Sequence, residues 1–186
     1  MTTAVPYQLV DEPGNGILHL FRVPTEEATL RAIITDLFTD YWRQIGFGVI
    51  VQGAAWEIAA PHPPTSITMY DGYLTVDFGR WHFHLCIGQH TASGPELGRI
   101  RRCARAELYR RVTPAGAPIS RGFRMFNAID EQMMTVLLPN PFLTDSQQIR
   151  AVPDFSRLAA WDHLRATYLG LPPDPLDRTA TGFQHD

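Results

Sequence analysis

The chain has 186 residues, 45% of them hydrophobic, and a formal net charge of −3, which suits one domain with a sizeable core and lacks the basic field of a nucleic-acid binder. All 16 basic residues are arginine, so Schiff-base, pyridoxal-phosphate, P-loop and kinase-type lysine chemistry is excluded. The opening residues carry no basic and apolar leader, no apolar run reaches spanning length, and Cys86 and Cys103 are too few for a disulfide scaffold; a cytoplasmic protein with no membrane partner is expected.

After the turn cluster Asp11-Glu-Pro-Gly-Asn-Gly16, residues 17–23 read as a strand carrying His19. Thr25 opens a helix with Glu26 and Glu27 at its positive end, and Leu30, Ile33, Ile34, Leu37, Phe38, Tyr41 and Trp42 recur at helical spacing to about Gln44. Short strands then follow at 48–52, 55–59, 66–70, 73–78 and 80–87, with Asp71-Gly72 a hairpin turn and Gly79 joining the last two as antiparallel neighbours.

Ser93-Gly-Pro-Glu96 reads as the entry to a second helix, whose apolar face is Leu97, Ile100, Ala104 and Leu108. Arg101, Arg102, Arg105, Arg110 and Arg111 surround that face, as on a solvated helix surface, and Glu107 lies beside it. Two further strands, 122–128 and 132–138, precede a last helix over 156–169 that Gly170 and Pro172-Pro173 stop. Residues 1–173 therefore form a single α+β domain, a mainly antiparallel sheet with helices packed on one face, and 174–186 a flexible C-terminal tail.

The stretch Trp81-His-Phe-His-Leu-Cys-Ile-Gly-Gln-His90 carries the strongest chemical signal. On a strand, Trp81, Phe83, Leu85 and Ile87 point one way and His82, His84 and Cys86 the other, with neighbours on a face about 7 Å apart. That column, with His90 folding back past Gly88, has the donors of a transition-metal site, zinc or iron, and Glu107 or Glu131 would move a proton beside it. The reading is a metal-dependent enzyme acting on a small molecule, by hydrolysis or hydration. Haem held by one of the histidines is a further option, as is Cys86 as a buried core residue. The alternative from a different class is a non-catalytic binding or accessory subunit with a structural histidine cluster. Its tryptophans, phenylalanines and arginines would then serve a homo-oligomer or protein partner.

Overall fold

The computed structural model describes residues 6–184. Among the described residues, eleven strands and three α-helices make an α+β arrangement built mainly on antiparallel pairing. Strands β1 (Gln8–Glu12), β2 (Gly16–Val23), β3 (Gly46–Gly48), β9 (Cys103–Val112), β10 (Pro118–Asn127) and β11 (Gln132–Leu137) make a six-stranded sheet in the order β1-β2-β9-β10-β11-β3. Strands β6 (Ser66–Tyr70), β7 (Tyr73–Asp77) and β8 (His82–Cys86) form a three-stranded sheet, and β4 (Ile50–Val51) pairs with β5 (Ala54–Ala55). Among the described residues no helix is long and apolar enough to cross a membrane.

Contacts divide the chain into two units. One contains Val23–Ala106 and Arg124–Val136. Its helix α1 (Glu27–Thr39) buries Leu30, Ile33, Ile34, Leu37 and Phe38 at the spacing the sequence predicts. The helix stops five residues before Gln44, where the Thr39 hydroxyl turns back to the Thr35 carbonyl at 2.8 Å and the chain enters a turn. Phe38 meets Phe47 edge-on at 4.9 Å and Phe83 at 5.3 Å, while Trp81 stacks on Phe78 at 4.2 Å. Such aromatic pairs add about 0.5–1.5 kcal/mol each beyond the area they bury.

The other unit contains the described residues up to Arg22, Glu107–Phe123 and Leu137 onward. Its helix α3 (Ala159–Leu169) is entered through a short 3-10 helix, Phe155–Leu158, and ends at Gly170 in the left-handed conformation (φ 65°), as the Gly-then-Pro sequence predicts. Asp174, where a flexible tail is expected, instead caps a second 3-10 helix, Pro175–Arg178, in which Asp177 is buried.

The second predicted helix is much shorter than its apolar spacing suggests. Helix α2 spans Pro95–Arg101 alone, and from Cys103 the chain is strand β9. Ala104 and Leu108, read as one helical face, differ in burial: Ala104 is exposed and Leu108 buried. Ala106, Leu108, Arg110 and Val112 are the buried alternating set of a strand. Arg110, read as solvated, is therefore directed inward.

Candidate functional site

The residues of the histidine stretch lie on β8 and the loop after it. Antiparallel register sets Ser66, Asp77 and His82 in one row across the sheet, Thr68, Thr75 and His84 in the next, and Tyr70, Tyr73 and Cys86 in the third. Directly opposed residues point to the same face, so these rows form one polar face. Ile67, Met69, Leu74, Val76, Phe83 and Leu85 supply the apolar one. The predicted alternation of β8 is thus present, with His82 and His84 exposed and Leu85 buried.

The imidazoles of His82 and His84 have ring centroids 4.8 Å apart at 64°. His84 Nδ1 lies 2.8 Å from the Thr75 hydroxyl, which fixes the ring and leaves Nε2 directed away from that bond. Cys86 shares the face but is buried, its thiol directed to the Gly88 carbonyl at 3.9 Å; burial pushes its pKa up, only partly offset by Arg102 and Arg101. His90 turns to other partners. Its Nδ1 is 2.8 Å from Asp71 Oδ2 and its Nε2 is 2.8 Å from Ser93 Oγ.

The two carboxylates proposed as proton carriers have partners of their own. Glu107, fully buried on β9, pairs with Arg22 Nη1 at 3.1 Å. Glu131 is exposed and accepts from Asn127 Nδ2 at 2.9 Å. Among the described residues, no three or more His, Cys, Asp or Glu side chains converge as ligands of a metal ion.

A cleft of about 600 Å³ lies beside this sheet's final turn, lined by Glu26 and Glu27 ahead of and within α1, by Gly88 and Gln89, and by Arg99 and Arg102. A Cβ at Gly88 would stand 1.9 Å from Glu27 Oε2, so a larger residue there would displace the Glu27 side chain. Cys103, also in the lining, has its pKa raised to about 11 by burial.

Residues 7–170 match the profile described as "Family of unknown function (DUF7676)". The chain belongs to that family. No curated protein matches this DUF7676 chain. Solved structures that share its fold include two of ChuX. "Crystal structure of ChuX" has a TM-score of 0.52 at 16% identity, covering 82% of this chain and 78% of that one. "Structure of the Heme Binding Protein ChuX" has a TM-score of 0.50 at 16% identity, covering 80% and 76%.

These findings overturn the metal-dependent hydrolase or lyase reading of the DUF7676 chain. His82, His84, Cys86 and His90 do not close into a histidine cluster around an ion, because Cys86 is buried in its strand and His90 is engaged by Asp71 and Ser93. The protein of like fold is described as binding heme, in which the iron arrives already ligated by the porphyrin.

Sequence reasoning missed a second polar assembly, in the unit that contains His19. Arg110, fully buried, donates to His19 Nδ1 at 2.9 Å and to Asp174 Oδ2 at 2.8 Å. Asp177 accepts from Arg121 Nε and from Trp161 Nε1, each at 2.7 Å, and lies 3.1 Å from Arg110 Nη1. Tyr7 stacks on His19 at 3.9 Å. Burial, then the Arg110 charge, lowers the pKa of His19. The one sequence signal for this assembly is the alternation in β9, which places Arg110 on the same side as Leu108 and Val112.

Proposed function

We propose that this chain is a ligand-binding protein whose ligand is haem, taken up on the open face of the β6-β7-β8 sheet with His84 as an axial donor. The observation that carries the reading is the pair His82 and His84: two imidazoles exposed on one face, with no third protein ligand converging on them among the described residues. Two imidazoles are too few for a structural or catalytic metal ion. They suffice for haem, which brings its own four nitrogens and needs one or two axial donors.

His84 is the better placed of the two. A metal-ligating histidine ordinarily gives its other ring N–H to a fixed acceptor, which sets the tautomer and raises the basicity of the donor nitrogen. Thr75 Oγ1, 2.8 Å from Nδ1, supplies that acceptor and leaves Nε2 as the donor. Tyr73 stands edge-on to the same ring at 6.5 Å and limits its rotation. When bound, haem supplies an iron centre open to electron transfer or ligand exchange; the protein's part is to hold and orient it.

The 600 Å³ cleft fits haem less well. Its lining has no histidine or tyrosine, and Cys103, with its pKa raised to about 11, stays a thiol at neutral pH and is a poor iron ligand. The likeness in fold to a protein described as heme-binding supports the choice of ligand class. Titration of the purified chain with ferric haem tests the reading. A saturable shift of the Soret band is expected, and a spectrum indistinguishable from haem in buffer would refute it.

A further inference from the structure

Beyond haem binding, Asp71, His90 and Ser93 form a hydrogen-bonded relay that nothing in the preceding reading uses. We propose that Ser93 is a nucleophile that takes an acyl group from an activated ester or thioester, with His90 as its general base and Asp71 as the positioning residue of His90.

The geometry supplies each part. One tautomer satisfies the line: His90 Nδ1–H donates to Asp71 Oδ2 at 2.8 Å, with the Asp71 carbonyl also 3.2 Å from that nitrogen, and Ser93 Oγ–H donates to His90 Nε2 at 2.8 Å. A hydroxyl, an imidazole and a carboxylate joined in this order are the general form of an activated serine, whatever their order in the chain. Arg101 Nη1 donates to the same Ser93 Oγ at 2.8 Å, placing a positive charge where negative charge grows as the proton leaves.

The base is buried and its backbone is clamped. His90 is 9% exposed. A Cβ on Gly98 would stand 2.2 Å from the His90 carbonyl oxygen, and one on Gly72 would stand 2.7 Å from the His90 nitrogen, so two glycines let the chain close on this residue from either side. Tyr73 meets the ring edge-on at 5.0 Å. Asp71 is fixed as firmly, accepting from the Thr91 hydroxyl at 2.7 Å, from Thr91 N–H at 2.9 Å and from Ala92 N–H at 3.1 Å. Ser93 is only half-buried, and the space on the Cβ side of the next residue, Gly94, is open. Half-burial leaves the Ser93 side chain unsealed from an incoming electrophile.

In the step, Ser93 Oγ attacks the acyl carbon and its proton passes to His90 Nε2. The bond from that carbon to the leaving oxygen or sulfur breaks, and the proton moves on to the departing alkoxide or thiolate, which leaves as an alcohol or thiol. Nothing is oxidised or reduced, and the acyl group remains on Ser93.

The full chain treated with p-nitrophenyl acetate tests this, with adducts mapped by peptide mass spectrometry. With no lysine in the sequence, competing side-chain amines are absent. Ser93 should be acetylated ahead of every other serine, Ser93→Ala should lose that adduct, and His90→Gln should slow it by about 10²–10⁴-fold, the usual contribution of a general base. Asp71 is checked by the ¹⁵N shifts of the His90 ring, which should report Nδ1–H in the wild type and a mixed tautomer in Asp71→Asn. Acetylation of Ser93 no faster than of other serines overturns the proposal, and the wild-type map alone decides this if a variant does not fold. A folded His90→Gln chain that labels at the wild-type rate overturns it as well.

Discussion

Asp71 sits at the tip of the β6-β7 hairpin in the left-handed conformation (φ 42°), and its carboxylate accepts three hydrogen bonds from the loop at Thr91 and Ala92. Those bonds, the Thr91 hydroxyl first, lower its pKa from 3.8 to about 2. A carboxyl whose folded value is depressed stabilises the fold fully above its unfolded value and loses that contribution as pH falls through the folded one. The melting temperature should therefore fall between pH 3.8 and about 2, and Asp71→Asn should flatten that part of the curve; equal slopes in both proteins would contradict the assignment. At this scale the sequence was legible in part. The Asp-Gly turn and the outward direction of His82 and His84 follow from turn chemistry and strand alternation. The fates of Cys86 and His90 do not, because what buries a thiol or engages an imidazole is contributed by residues distant along the chain, here Asp71 for His90.

In strand β9 two periodicities compete. Ala104 and Leu108 satisfy an i, i+4 helical spacing, and Ala106, Leu108, Arg110 and Val112 satisfy a strand's alternation only if an arginine is accepted as buried. Arginine is almost never fully buried unless paired, and its partners, Asp174 and Asp177, lie more than sixty residues further on in a segment whose polar, proline-containing sequence suggests a tail. Both carboxylates also lie outside the part of the chain that the family profile matches, which ends at residue 170. Asp177 is fully buried against Arg110 and Arg121, and removing one partner of a buried pair leaves an uncompensated charge at a cost of about 3–5 kcal/mol. Asp177→Asn should lower the unfolding free energy in urea by that amount with an unchanged m-value. A loss within about 0.5 kcal/mol, the level of a surface substitution, would mean that the C-terminal segment does not hold this unit together.

For the whole molecule, the fold class was readable because hydrophobic periodicity and Gly/Pro punctuation are local, whereas β1 and β9 were not read as strands. The function was not readable, since a His-x-His-x-Cys strand has the same pattern whether its donors converge on an ion or stand apart on an open sheet. The structure separates them: the histidines remain on the exposed face while the cysteine is buried. With His84 as the proposed donor to haem iron, resonance Raman spectra of haem-loaded wild-type, His82→Ala and His84→Ala chains test that role most directly. Histidine ligation should persist in the wild type and in His82→Ala and be lost in His84→Ala, with haem affinity falling by tenfold or more, about 1.4 kcal/mol. An iron–histidine signature and affinity unchanged in His84→Ala would contradict the account.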